Sequence, residues 1–221
     1  MTQPETPTQN GTKAPAPGTP RLRRGGRRTA IMRRATEIFE QKGFAQTTVE
    51  DIAGAVGVTR EAIYYYFQDK TEILYEIIKP ESESLTLGMR RLGELKIPAR
   101  EKLVLAIQNH LARFNPNYLE MVIAQRELMK KDLDPRIASL RQVWKTYEQH
   151  WVDLIRTGQA EGNFPPDLNP KLAAFAILGM CNSPSTWFDP TRSISMAELS
   201  DTFVRLATQG IVQRDVSDPA D

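Results

Sequence analysis

Cysteine is nearly absent: Cys181 stands alone in 221 residues, so no intramolecular disulfide can form and a thiolate metal cluster lacks ligands. Histidine is scarce too. His110 and His150 have no cysteine nearby and read as structural or exposed side chains rather than metal ligands. There is no G-x-S-x-G, no phosphate-cradling glycine loop and no C-x-x-C, which leaves an enzymatic reading without machinery. No catalytic residue, metal or cofactor is therefore assigned. Long apolar runs are also missing. The longest, Leu172 to Cys181, is far short of the ~20 residues that cross a bilayer, and Met1 to Pro20 has no apolar segment of the signal-peptide kind. The expectation is a cytoplasmic protein with no membrane partner. No segment alternates long enough to make a strand and no internal repeat is found, so the fold class is all-α.

What the chain does have is an uneven charge distribution. Residues 1–28 carry six Lys/Arg against one Glu, whereas residues 29–78 carry five basic and eight acidic side chains. The positive charge gathers in Arg21, Arg23, Arg24, Arg27 and Arg28, a cluster suited to binding phosphates and releasing their counterions. Residues 1–26 are rich in Pro, Thr and Gly and cannot bury enough apolar surface to offset their ordering entropy. They are expected to form a disordered basic arm, with a disordered tail at 214–221.

Helical periodicity begins at about Thr29, with Ile31, Ala35, Ile38 and Phe39 on one face and a stop at Lys42-Gly43. Thr48, with Asp51 three residues on, resembles a capping box opening a short helix through Ala55. Val56-Gly57-Val58 is a tight turn. Thr59 then caps a second short helix running to about Phe67, with Glu61 placed well against its dipole. Past residue 70 everything reads as helix. Thr71 starts a long one in which Pro80 predicts a kink or break, and Pro98 opens another ending near Phe114. Tyr118 to Leu128, Asp134-Pro135 to about Ala160, and Asn169-Pro170 onward follow; Ser195 with Glu198 caps the last, which ends near Gly210 to Gln213. Residues 27–75 are thus expected to form a head domain and 76–213 a larger body.

Two short helices joined by a glycine turn are the parts of a helix-turn-helix, whose second helix fits the major groove of double-stranded DNA. Its first turn must carry side chains that reach bases. Here they are Thr59, Arg60, able to donate a bidentate pair to guanine, and Glu61, able to accept from cytosine. Tyr64, Tyr65 and Tyr66 offer hydroxyls to phosphates, and Lys70 an ammonium. Three consecutive tyrosines span most of a helix circumference and cannot all be buried, whereas Ile63 and Phe67 should face inward against Ile52 and Val56. The arginine arm is expected to follow the DNA backbone or enter the minor groove.

The segment TTVEDIAGAVGVTREAIYYYFQDKTEIL resembles the DNA-binding signature of the TetR family of repressors. The resemblance implies phosphate contacts from Thr48, Tyr64, Tyr65 and Lys70, and groove contacts from Thr59, Arg60, Glu61 and Tyr65. Tyr66 stands where histidine is common; a phenol can donate one hydrogen bond but cannot become cationic. The resemblance also implies a helical body with an effector pocket and a homodimer built on the last two helices.

The residues support the dimer on their own account. Leu172 to Cys181 is apolar nearly all round, with Phe175 on it and small residues such as Gly179 permitting close approach. The last helix offers a stripe of Leu199, Phe203, Leu206 and Gly210. Aromatic and methionine side chains recur in the body. Phe114, Tyr118, Met121, Trp144, Tyr147, Trp151 and Trp187 are the candidate ligand-binding set, with ordinary core packing as the plain alternative for each.

The stretch from Trp151 to Leu168, followed by Gly179, Asn182 and Trp187-Phe188-Asp189-Pro190, is similar to regulators of fatty-acid and steroid catabolism, several of which answer acyl-CoA thioesters. Ser183-Pro184-Ser185 departs from that pattern and should reshape the helix there. Candidates for holding CoA phosphates are Arg113, Arg126, Lys130, Lys131 and Arg141, by charge alone. The function expected is a repressor released from a palindromic operator by a hydrophobic or acyl-CoA-type effector. The alternatives are a regulator answering drugs or other small molecules, and a ligand-independent architectural DNA binder.

Overall fold

A computed structural model describes residues 24–114, 118–131, 134–189 and 193–211. Among them are ten α-helices and no strand: α1 (Arg24–Lys42), α2 (Val49–Val56), α3 (Arg60–Tyr64), α4 (Lys70–Glu94), α5 (Ala99–Leu111), α6 (Tyr118–Leu128), α7 (Pro135–Ala160), α8 (Pro170–Asn182), α9 (Pro184–Trp187) and α10 (Met196–Gln209).

Most of these begin where a capping residue says they should. Asp134 accepts from the Arg136 amide at 2.9 Å, Asn169 from those of Lys171 and Leu172 at 3.0 and 3.1 Å, and Ser195 from that of Glu198 at 3.1 Å. Pro184 does reshape the chain, ending α8 at Asn182 and starting the single turn of α9.

Two expectations need correction. The first helix begins at Arg24, so Arg24, Gly25 and Gly26 are helical rather than part of a disordered arm. Arg28 supplies the reason: it pairs with Glu76 of α4 at 3.1 Å and lies over the Phe67 ring at 4.8 Å, which pins the first turns to the head. Pro80, in turn, does not break α4. Ile77, Ile78, Ser82 and Leu85 are buried on either side of it, and packing outweighs the ~3 kcal/mol that an interior proline costs.

The molecule has two hydrophobic cores. The first joins Ile31, Phe39, Ile52, Ile63, Phe67 and Ile73 of the head to Ile123, Ala124 and Leu128 of α6 and to Ile137 and Leu140 of α7. The second holds Leu85, Met89, Leu103, Ile107, Tyr147, Trp151, Leu178 and Phe203. Trp144 packs against both, and its Nε1 donates to Ser82 Oγ at 2.8 Å. Head and body are therefore joined by α6 and the first turns of α7 as well as by α4.

Candidate nucleic-acid interface and ligand cleft

The geometry of the head follows from its caps. Thr48 and Asp51 form both halves of the capping box: the Asp51 amide donates to Thr48 Oγ1 at 3.1 Å and the Thr48 amide to Asp51 Oδ2 at 2.7 Å. Lys42 donates to the same carboxylate at 2.7 Å and, with Thr48, holds its pKa well below the usual range. Gly57 adopts φ 72°, a conformation that side chains resist, and so turns the chain sharply between α2 and α3. Thr59 then caps α3 by accepting from the Ala62 amide at 3.3 Å.

This turn buries Ile63 and Phe67 and leaves Thr48, Thr59, Arg60, Glu61, Tyr64 and Tyr65 exposed. Tyr65 is 63% accessible, a large fraction for an aromatic side chain with so much apolar surface to hide. Arg60 and Tyr64 meet one turn apart, with Nη2 donating to the phenol oxygen at 3.0 Å. Sequence reasoning singled out this exposed set, and the structure brings it together on two adjoining short helices.

Other assignments change. Lys70 donates to the carbonyls of Phe44, Ala45 and Thr47 at 2.9, 3.1 and 2.8 Å, so all three of its N–H groups are committed to the α1–α2 loop. The direct phosphate grip expected of it has no donor left, although its charge stays in place. Tyr66 is half-buried against the head core with its ring edge on Tyr65, and packs more than it presents. Arg28 is engaged by Glu76 and Phe67 within the head, whereas Arg27 is half-exposed. Arg21, Arg23 and the side chain of Arg24 lie outside the described residues.

In the body, the candidate ligand residues divide. Tyr147 and Trp151 are fully buried core, and Trp187 is half-exposed on α9. Only Trp144 lines a large cleft, one of about 580 Å³ whose walls include Leu128, Met129, Lys130, Lys131, Arg141, Lys145, Glu148 and Asn182. The side chains of Phe114, Tyr118 and Met121 lie outside the described residues. Three of the five suggested cations therefore reach the cleft. Lys145 joins them, missed because its sequence neighbours carry no signal of it. Arg126 instead donates to the Phe39 carbonyl at 2.5 Å, and Arg113 faces Glu81 at 3.7 Å.

Behind the cleft lies a buried polar chain. Asn182 Oδ1 can only accept, so the 2.9 Å contact makes His110 Nε2 the donor and leaves Nδ1 to accept from the Tyr147 hydroxyl at 2.7 Å. Burial pushes the His110 pKa down to about 4 from an ordinary 6.5. The folded protein thus refuses a proton that the unfolded chain takes up as pH falls below 6.5. Stability is expected to be fully present above that value and to fall by about 1.4 kcal/mol per pH unit toward pH 4. Denaturant titrations of the protein and of His110→Gln across this range should differ by that slope; parallel curves would show the histidine to be titrating normally.

The expected dimer surfaces also divide. On α8, Leu172, Phe175, Ala176 and Gly179 form an exposed face, and a Cβ on Gly179 would meet nothing within 4 Å. On α10, Leu206 and Gly210 are exposed, but Leu199 and Phe203 are buried in the chain's own core. The stripe read from the sequence therefore serves two purposes, packing within the subunit and presenting a surface.

Comparison with known proteins agrees with this architecture. Residues 31–77 match the model of bacterial regulatory proteins of the tetR family, and residues 96–211 match a tetracyclin repressor-like C-terminal domain. The HTH-type transcriptional repressor KstR2 of Mycolicibacterium smegmatis is 24% identical over 198 residues, covering 90% of this chain and 96% of its own. The solved structure of the ketosteroid transcriptional regulator KstR2 of Mycobacterium tuberculosis superposes with a TM-score of 0.79 at 23% identity, covering 85% of this chain and 96% of that one. A structure of AibR in complex with isovaleryl coenzyme A and operator DNA gives 0.72 at 20% identity, covering 82% and 98%. Family matches at both ends of the chain, over a capped helix-turn-helix and a helical body with a cleft, leave one conclusion: the protein belongs to the TetR family of bacterial regulatory proteins.

Proposed function

We propose that the protein is a homodimeric repressor that occupies a roughly palindromic operator and leaves it when an acyl-CoA-type effector of lipid or steroid catabolism enters the body. The carrying observation is the composition of the cleft. Its size falls within the ~300–1,000 Å³ range of small-molecule sites. Leu128, Met129 and Trp144 supply apolar wall, while Lys130, Lys131, Arg141 and Lys145 surround it with cations. An effector matching both parts has a hydrophobic acyl group and an anionic head. The isovaleryl coenzyme A bound by AibR and the ketosteroid role in the name of KstR2 lend the reading support.

The cleft also has a route to the head. Lys130 lines both it and a smaller cavity of about 270 Å³ between head and body, where it pairs with the buried Glu127. An anion that draws Lys130 away leaves that carboxylate short of a partner, a costly state inside a protein. Effector binding thereby acquires the differential affinity for two arrangements without which no equilibrium shifts.

The test is release of DNA from an operator obtained by selection from randomised duplexes. Acyl-CoAs are expected to release it, and substituting Lys130, Lys131 and Lys145 together by glutamine should raise the required acyl-CoA concentration about tenfold or more. The matching free fatty acid should be much less affected by those substitutions. Release by drug-like cations alone would sink the proposal.

A further inference from the structure

Glu50 lies in the first turn of α2, among residues that sequence reasoning passed over. Its carboxylate meets Arg60 Nη1 at 2.7 Å, across the turn that separates the two short helices. From the other side, the Tyr64 phenol oxygen accepts from Arg60 Nε at 3.3 Å and Nη2 at 3.0 Å. The guanidinium carbon also lies 5.3 Å from the centre of the Tyr64 ring. The most adaptable side chain on the DNA-facing surface is thus held from two directions.

Stability does not account for this arrangement. Both charged side chains are more than half exposed, at 54% for Arg60 and 56% for Glu50, and exposed ion pairs contribute little to folding. A carboxylate is also a poor neighbour for phosphates, on a head that already carries more acidic than basic residues. Its position is better explained by what it does to Arg60. A guanidinium has five N–H groups. With Nε and one N–H of Nη2 on Tyr64, and one of Nη1 toward Glu50, one remains on each terminal nitrogen. Those two form the fork that can donate to guanine O6 and N7.

The geometry points to Glu50 as a specificity-determining residue: it sets the orientation of Arg60 for reading a base and discourages the same arginine from settling on any phosphate nearby. A fork already oriented loses less rotamer freedom at the correct base. At an incorrect one, Arg60 must leave Glu50 without a matching gain, so discrimination rises at some expense in general affinity. The inference rests on the DNA-binding reading above and adds a residue that does not need to touch a base itself.

The experiment is selection from randomised duplex DNA with the full-length protein and its Glu50→Gln and Glu50→Ala variants, followed by titration against single base-pair substitutions of the selected site. Arg60→Ala identifies the pair that Arg60 reads. The wild type is expected to discriminate there by tenfold or more, and E50A by threefold or less, with E50Q between because its amide oxygen still accepts. Both variants should bind random duplex several-fold more tightly, and their Tm should stay within about 2 °C of wild type. Unchanged preference at the Arg60 position in both variants would overturn the inference while leaving DNA reading intact. A wild type that selects no sequence at all would overturn both.

Discussion

Replacing Arg60 and Tyr65 together by alanine is expected to lower operator affinity by roughly 10²–10⁴-fold in a dimer that reads with two heads, at about 1–3 kcal/mol for each base-reading contact. The fold should be indifferent to the change. Tyr65 is 63% accessible, and Arg60 is exposed, with its printed partners Glu50 and Tyr64 beside it on the same surface. Ile63 and Phe67, which anchor this part of the head, stay where they are. Electrophoretic or fluorescence titration measures the loss, and a thermal melt should show a transition within a few degrees of wild type. An unaltered operator affinity would mean that another surface makes the contact.

A comparable loss is expected from the opposite end of the molecule, with no DNA contact touched. Leu172 is 67% accessible and Phe175 40% accessible on a helix face that also includes Ala176 and Gly179. Such an apolar face is explained by a second copy of the chain, and introducing aspartate at both Leu172 and Phe175 should bury two carboxylates against it. The variant is expected to run as a monomer in analytical ultracentrifugation at micromolar concentration. Operator affinity should then drop by 10²-fold or more, because the second head no longer arrives at the high effective concentration supplied by the first. Helical content should persist, since both side chains lie outside the subunit's core. If the variant still sediments as a dimer, the two chains meet elsewhere.

How much of this could be read beforehand depended on the range of the interaction. Helix starts at Thr48, Thr59, Asp134, Asn169 and Ser195 were legible because a cap acts within three residues of itself. The exposed set from Thr59 to Tyr65 was legible for a similar reason: consecutive helical positions cannot all face inward. Lys70 was not. Its three carbonyl partners lie 23 to 26 residues earlier, and nothing around the lysine announces them. Leu199 and Phe203 share a stripe with Leu206, yet only packing against α5 and its neighbours decides which of the three remain uncovered. Tyr147 and Trp151 fall in the same class. An aromatic residue on the inner face of a long helix looks the same in sequence whether it fills a core or borders a cleft, and here Trp144 alone of the three does the latter.

The unbroken passage of α4 through Pro80 has a mechanical side. Proline has no amide hydrogen, so the Glu76 carbonyl lacks the donor that would ordinarily reach it from four residues on. The missing rung falls between Ile78, the last α4 side chain of the first core, and Leu85, the first large apolar one of the second. The rod that runs from one core to the other is therefore most pliant at the boundary between them. Tilting one end relative to the other strains fewer backbone bonds there than at any neighbouring turn, and each core can move as a unit without loosening its own packing.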